Sequence, residues 1–202
     1  MNKIITIGRE FGSGGRELGK RIAEKLGIAY YDKEILNEIA KKTDLAFDYV
    51  QQIVEKKPII YYPITIGHTL SSYGNAINSV NASVYAEQRN VIRELASKSS
   101  CVIVGCCADY ILKDMNPFRI FVYADIDSRM ARCRQKGEAG EDLSDKKLTK
   151  LIKSVDKHRS QYYDFYTSKK WGDRLNYDLC INTSGKSIKD ICSDIVAILK
   201  ED

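Results

Sequence analysis

A glycine-rich loop between a short apolar run and a helical pattern constrains the fold of this chain more than any other feature. Residues 4–7 are a β-branched run that predicts a buried strand, and residues 16–26 have apolar positions at helical spacing. Between them, Gly12, Gly14 and Gly15 crowd the turn. Small residues let backbone N–H groups turn inward beside a helix N-terminus, so the order strand, loop and helix predicts a cradle for phosphate.

The loop lacks the two side chains that a P-loop of the form GxxxxGK[ST] uses. In that motif the Lys neutralises the β- and γ-phosphates, and the hydroxyl helps to hold Mg²⁺. Here Gly15 and Arg16 follow Gly14 instead. We predict that Arg16 replaces the lysine charge, because a guanidinium binds phosphate bidentately, and that Glu17 reaches a metal directly or through water. The predicted phosphate-binding set is Gly12, Ser13, Gly14, Gly15, Arg16 and Glu17.

The spacing of the loop residues excludes one other interpretation and leaves a second one open. A dinucleotide fingerprint GxGxxG, counted from Gly12 and Gly14, requires glycine at position 17, where Glu17 stands. A simple strand-to-helix turn stays open, although so many glycines beside arginines exceed what a turn needs.

The rest of the chain alternates between strand and helix patterns. Further strands are predicted at 28–31, 101–105, 118–123 and 177–181. Further helices are predicted at 33–42, 45–56 (capped by Asp44), 76–97, 127–136, 144–166 and 187–199. Residues 57–74 are predicted to be loop-rich. This alternation predicts an α/β fold, a five-stranded parallel sheet with helices on both faces.

Composition limits the classes of protein to consider. A chain of 202 residues can bury one core, so a single domain over 1–202 is expected. No apolar run approaches the roughly 18 residues of a membrane span, and the first strand leaves no room for a signal peptide, which together predict a cytoplasmic protein. The net charge of +5 suits an anionic ligand but, with a single Trp171, does not indicate nucleic-acid binding.

The six cysteines do not predict a metal site. None forms a CxxC pair and only two histidines are present, so no metal-ligand set is assigned. Cys101, Cys180 and Cys192 lie in apolar patterns and are predicted to be buried thiols. The pair Cys106 and Cys107 is interpreted as two small residues at a strand end, with a redox or metal role as the alternative.

Three further arginines are candidates for stabilising a phosphate. Arg129 and Arg132 are three residues apart and so share one helix face, before a glycine-containing turn at 137–141 that could act as a hinge. Arg159 falls within an apolar helical stripe, and an inward-facing arginine needs an anionic partner. For Arg129 and Arg132 the alternative is a solvated basic face. For Arg159 the alternatives are a snorkelling side chain and an internal pair with Asp or Glu. With Arg16, these three arginines form the predicted catalytic set.

Acidic and aromatic residues after two strands are candidates for binding the acceptor. Tyr31 and Asp32 follow the second predicted strand, and Asp109 follows the third. For Asp32, a helix cap is an equally good interpretation.

Four segments together resemble the cytidylate kinase-like proteins of bacteria. They are residues 8–17, 30–35, 105–112 and 156–183. The resemblance implies a three-layer P-loop nucleoside monophosphate kinase fold that transfers phosphate from ATP, with Mg²⁺, to a nucleotide such as CMP. It implies a core of 4–31, 101–126 and 177–199, an acceptor-side helical region at 32–99 and a lid at 127–166. Small-molecule nucleotides are the implied partners, and a homodimer is left open.

The sequence departs from kinase patterns in two places. The missing Lys and Ser/Thr resemble this subfamily but not true cytidylate kinases, and Cys106 stands where related sequences typically carry an Arg suited to the acceptor phosphate. A non-catalytic or regulatory nucleotide-binding module is therefore an alternative function. A kinase for another acceptor, with 57–74 shaping its pocket, is a third.

Overall fold

A five-stranded parallel sheet forms the centre of the protein. The structure is a computed structural model that describes residues 2–55, 71–136 and 143–201. The strands are β1 (Ile4–Arg9), β2 (Ala29–Tyr31), β3 (Cys101–Val104), β4 (Phe118–Tyr123) and β5 (Leu179–Asn182), and their order across the sheet is β2-β3-β1-β4-β5. All four strand pairs are parallel, as the sequence predicts.

Eight helices are described around the sheet. They are α1 (Gly15–Leu26), α2 (Lys33–Thr43), α3 (Phe47–Glu55), α4 (Ser71–Lys98), α5 (Ala108–Ile111), α6 (Ile126–Gln135), α7 (Asp145–Thr167) and α8 (Ile188–Glu201). Short 3₁₀ turns lie at Lys113–Met115 and Arg174–Asn176. Within the described ranges, no helix has the length and apolar character needed to cross a bilayer.

Alternating side chains of the strands build a core on each face of the sheet. Ile5 and Ile7 of β1 pack with α1 and α8, whereas Ile4 and, from β3, Ile103 pack with α2, α3, α4, α5 and α7. The helices therefore cover both faces, which confirms the predicted three-layer α/β fold. Because the strands are parallel, the segments that follow β1, β2 and β3 meet at one edge, where ligands bind in folds of this kind.

Several predicted boundaries need correction. Asp44 does not cap α3: it ends α2 in the left-handed conformation, and α3 begins later, at Phe47. Helix α4 begins at Ser71 rather than at residue 76, since serine and glycine weaken a helix without stopping it. Residues 71–74 of the predicted loop are therefore helical, and residues 57–70 of it lie outside the described residues. The predicted turn at 137–141 also lies outside them.

The cysteine prediction holds at two of three positions. Cys101 and Cys192 are buried, whereas Cys180 is exposed. The strand β5 lies at the edge of the sheet, and alternate residues there face outward, Cys180 among them.

A cluster around Arg129 holds the glycine loop against α6 and α7. The Arg129 side chain donates from Nε to the Phe11 carbonyl (2.6 Å), contacts Glu10 Oε2 through Nη1 (3.1 Å) and pairs with Asp156 through Nη2. Asp156 in turn accepts from the Phe11 N–H at 2.7 Å. Burial raises the pKa of Glu10, and Arg129 acts against that rise. We call Arg129, Glu10 and Asp156 the loop clamp.

The loop clamp predicts a large stability cost for Arg129→Met. Arg129 is only 7% exposed, so its removal leaves Glu10 and Asp156 without their shared cation in a poorly solvated place. We expect the free energy of unfolding to fall by about 3 kcal/mol, measured by urea denaturation. The control is Arg134→Met, on the same helix as Arg129. This variant breaks an exposed ion pair with Asp145 of α7 and should cost less than about 1 kcal/mol. Equal losses in the two variants would contradict the clamp.

A partly buried carboxyl connects α5 to α7. Asp109 Oδ2 accepts from the Tyr163 hydroxyl at 2.6 Å. Burial raises the pKa of Asp109 above its ordinary value, and the hydrogen bond from Tyr163 offsets only part of that rise.

This raised pKa predicts a pH-dependent effect of Asp109→Asn. The stability that the wild-type carboxyl contributes is present below its unfolded pKa and is lost as pH rises through the folded pKa. The amide keeps an acceptor for Tyr163 without gaining charge, so the variant should gain stability relative to wild type as the pH rises from 4 to 7. Denaturant titrations at both pH values measure this gain.

Asp114→Asn is the control for that measurement. Asp114 is exposed, and its hydrogen bond with Arg93 lowers its pKa to about 2. Its stabilising contribution is present above the unfolded pKa and is lost only on acidification below it, so this variant should be less stable than wild type at both pH 4 and pH 7. A gain in stability relative to wild type over this pH rise in both variants would contradict the assignment.

Candidate active site

The glycine loop has a conformation that excludes side chains. Gly12 and Gly14 have φ of +76° and +85°, in the left-handed region that favours glycine. A Cβ on Gly12 would lie 2.8 Å from the Arg129 carbonyl oxygen, and one on Gly14 would lie 2.5 Å from Cδ1 of Ile188. Gly14 is the N-cap of α1 and, having no side chain, leaves the first N–H groups of that helix for another acceptor.

Ser13 lies in the loop but is turned inward. It is fully buried, and its hydroxyl donates to the Glu10 carbonyl at 2.9 Å. The Ser13 carbonyl accepts from the Thr183 hydroxyl at 2.7 Å, which ties the loop to the segment after β5. The Ser13 N–H also donates to the Glu10 carbonyl, at 3.3 Å. Both polar groups of Ser13 therefore shape the loop, and a phosphate contact through this N–H would replace an existing hydrogen bond.

Basic side chains dominate the cleft above this loop. The cleft, of about 430 Å³, is called here the phosphate cleft. Its charged lining consists of Arg9, Arg16, Arg132, Lys136, Arg159, Glu10 and Glu17. Five cations against two carboxylates favour a polyanionic ligand. Arg9 and Lys136 were not predicted: Arg9 ends a strand and Lys136 ends a helical pattern, and neither position alone distinguishes a cleft residue from a solvated one.

Two arginines share one carboxylate at the edge of the phosphate cleft. Arg16, the predicted substitute for the lysine, has its Nε 2.6 Å from Asp32 Oδ2, and Arg9 has Nη2 3.5 Å from Asp32 Oδ1. Asp32 occupies the N-cap position of α2, but its side chain makes no capping hydrogen bond. Asp32 is therefore the capping residue of α2 by position, as the alternative interpretation has it, and its carboxylate acts as a counter-ion for the two arginines.

The predicted pair on α6 is divided between two places. Arg132 lines the phosphate cleft and donates to the hydroxyl (3.2 Å) and carbonyl of Thr183 and to the Lys186 carbonyl (3.3 Å). Arg129 lies behind the loop in the loop clamp. Arg129 and Arg132 therefore do not converge on one point of the cleft, although their spacing places them on one helix face. Arg129 is held elsewhere because its carboxylate partners lie in the loop after β1 and in α7.

The inward position predicted for Arg159 is confirmed. Its Nη1 donates to the Arg9 carbonyl at 3.3 Å, and its guanidinium lies 5.7 Å from the centroid of the Phe11 ring. A backbone carbonyl and an aromatic ring therefore contact this side chain at the edge of the phosphate cleft.

Glu17 is a charged acceptor at the rim of the cleft. Burial acts to raise the pKa of Glu17, but hydrogen bonds from Lys136 (2.8 Å) and Arg21 (2.9 Å) outweigh it, so the pKa lies below its ordinary value. Glu17 is therefore ionised at neutral pH.

A second cavity shares Arg9 and Arg159 with the phosphate cleft and is called here the aromatic cavity. Four rings line it, those of Tyr162, Tyr163, Trp171 and Tyr177. Asp109 and Cys106 also line it, and both arginines belong to its lining as well as to that of the phosphate cleft.

Of the three predicted acceptor residues, Asp109 lines the aromatic cavity, whereas Tyr31 and Asp32 do not. The backbone at Cys106 is left-handed (φ +56°), and its carbonyl accepts from Gln88 Nε2 at 2.8 Å. Asp109 faces Tyr163 there, as described above. Tyr31 packs against the core formed by α2, α3 and α4.

Comparison with known proteins agrees with this geometry. Residues 4–185 match the Cytidylate kinase-like family. The crystal structure of an uncharacterized protein from Eubacterium ventriosum ATCC 27560 is similar at 30% identity and a TM-score of 0.72, covering 99% of each chain. No curated protein matches the sequence significantly.

Two shikimate kinases share the fold at low identity. The enzyme from Acinetobacter baumannii, in complex with shikimate, is 16% identical with a TM-score of 0.54, covering 100% of this chain and 94% of that one. The enzyme from Bacteroides thetaiotaomicron is 15% identical with a TM-score of 0.55, covering 99% of both. The family match extends over most of the sequence and the fold is that of P-loop kinases, a phosphotransferase architecture. The chain belongs to the Cytidylate kinase-like family.

Proposed function

We propose that this protein transfers the γ-phosphate of ATP, as its Mg²⁺ complex, to a nucleoside monophosphate such as CMP. The observation that carries this proposal is the pair of adjoining cavities that share Arg9 and Arg159. A phosphoryl group passing from a donor in one cavity to an acceptor in the other would travel between two guanidinium groups. Such transfer requires positive charge around the oxygens of the transferred group.

The phosphate cleft suits the triphosphate of the donor. Backbone N–H groups of Gly12, Gly14 and Gly15 and the N-terminus of α1 favour anions. Arg16 and Arg132 add charge around them. The loop clamp keeps Arg129 from reaching the ligand, so Arg129 is a positioning residue in this account. It fixes the loop whose N–H groups bind phosphate.

The aromatic cavity suits an acceptor with a flat ring. Tyr162, Tyr163, Trp171 and Tyr177 give it faces and edges on which a base can stack, and Asp109 supplies an acceptor for a base or sugar hydrogen bond. Arg9 and Arg159 stand at its junction with the phosphate cleft, where the acceptor phosphate would lie. These two arginines would take over the charge that Cys106 does not supply.

The residues at the cleft fit Mg²⁺ carried by the nucleotide. Mg²⁺ is usually held by one or two carboxylates together with substrate phosphates and water. In the described part of the chain no group of three or more His, Cys, Asp and Glu side chains could hold a metal, but Glu10 and Glu17 line the phosphate cleft. Glu17, ionised and at the rim, would hold the ion directly or through water, and Mg²⁺ would neutralise charge on the phosphates.

The alternative function is nucleotide binding without transfer. Gly15 and Arg16 stand where a P-loop has its Lys and hydroxyl, and this observation favours a regulatory module. Calorimetry with ATP and CMP separates the two functions: binding of both without any turnover would select the module.

A coupled ATP-turnover assay over a panel of acceptors tests the proposal. We expect turnover with at least one nucleoside monophosphate and none with shikimate. Arg159→Gln should lower kcat by about 100-fold or more, since it removes a charged donor from the transfer point, and Arg16→Ala should lower ATP turnover as well. Arg93→Gln, which changes an exposed arginine on α4, is the control and should leave turnover unchanged. Wild-type activity in both Arg159→Gln and Arg16→Ala would contradict the proposal.

A further inference from the structure

Arg9 occupies the space that a side chain at the P-loop lysine position would need. In the pattern GK[ST], the lysine directly follows the last glycine of the loop, and here Gly15 directly follows Gly14. A Cβ on Gly15 would lie 2.5 Å from Arg9 Cβ and 3.1 Å from Arg9 Cγ. The φ of Gly15 is not in the left-handed region. Glycine is therefore needed at this position because Arg9 lies against it.

The Arg9 side chain is also fixed in its direction. A Cβ on Gly105 would collide with the guanidinium of Arg9, so the glycine after β3 leaves room for that group. Asp32 contacts Nη2 from the end of β2, and the side chain of Arg9 is only 14% exposed. The guanidinium therefore lies at the carboxyl ends of the strands and lines both the phosphate cleft and the aromatic cavity.

Arg16 is less suited to the lysine role that its sequence position suggests. Its side chain is 42% exposed, and its Nε faces Asp32. Arg16 lines the phosphate cleft but not the aromatic cavity, whereas Arg9 lines both. Only a cation that reaches the junction of the two cavities can neutralise a group moving from one to the other.

We propose that Arg9, at the end of β1, replaces the P-loop lysine of this protein and contacts the terminal phosphate of the donor nucleotide. This inference rests on the proposed function and extends it to a residue outside the glycine loop. Arg9 supplies the positive charge that the lysine supplies in an ordinary P-loop, but it does so from the strand before the loop. The backbone at Gly15 and Gly105 is free of side chains so that this arginine can pass.

Titration calorimetry with ATP and Mg²⁺, and separately with inorganic tripolyphosphate, tests the inference. We expect Arg9→Gln to weaken the binding of both ligands by about 10- to 100-fold, the value of a charge-assisted hydrogen bond. Asp32 keeps Arg16 as a partner in this variant, which protects the fold. Arg93→Gln is the control and should bind like the wild type.

Two further variants distinguish charge from packing. Arg9→Lys keeps a cation and should retain most of the ATP affinity, so an equal loss in Arg9→Lys and Arg9→Gln would overturn the inference. Arg9→Gly combined with Gly15→Lys moves the cation to the ordinary P-loop position, since Arg9→Gly removes both close atoms and leaves Val122 Cβ at 3.3 Å. This double variant should bind ATP more tightly than Arg9→Gly alone, and a folded double variant that does not would overturn the inference.

The wild type separates this inference from the function on which it rests. If the wild type binds and turns over ATP, and Arg9→Gln binds ATP as tightly as the wild type, the proposed role of Arg9 is wrong and the kinase proposal stands. If the wild type binds neither ATP nor tripolyphosphate, both are wrong.

Discussion

The close passage of the backbone after β1 is the constraint on which the rest of the structure depends. The chain runs between α6, α8 and the side chain of Arg9, and no β-carbon fits at Gly12, Gly14 or Gly15. A chain without side chains at these positions can present its N–H groups to a ligand. The same passage determines which side chains can reach that ligand, because each must enter from a neighbouring element.

Charge pairing then sorts the arginines around the loop by role. Arg129 has two carboxylates of its own and is only 7% exposed, so its charge is used to hold the loop in place. Arg9 and Arg16 both contact the carboxylate of Asp32 at the edge of the phosphate cleft. The positive side chains that line the phosphate cleft would attract a polyphosphate, which links the electrostatics of the fold to its proposed ligand.

Local patterns were sufficient to predict the layers of the fold but not the partners of the site residues. The β-branched run of β1, the glycines and the helical spacing of α1 act within a few residues, and the structure follows them, with Gly27 ending α1 in the left-handed conformation. The separation of Arg129 from Arg132 depends on Asp156, which lies 27 residues away on another helix. Spacing within one helix cannot show such a partner.

The same reasoning explains why Arg9 was missed and Arg16 was favoured. Proximity to Gly14 in the sequence points to Arg16, whereas the direction of Arg9 is decided by Gly15, Asp32 and the glycine after β3, which only the folded sheet brings together. Cys180 is a similar case, since its exposure follows from β5 lying at the edge of the sheet.

The most direct test of this account is an NMR titration of the backbone amides with ATP and Mg²⁺, with AMP for comparison. The account predicts that the amide signals of Gly12, Gly14, Gly15 and Arg16 shift with ATP, and shift less with AMP, while those of the exposed edge strand β5 do not move. Loop signals that stay unmoved at millimolar ATP would contradict it, because the loop would then bind no phosphate.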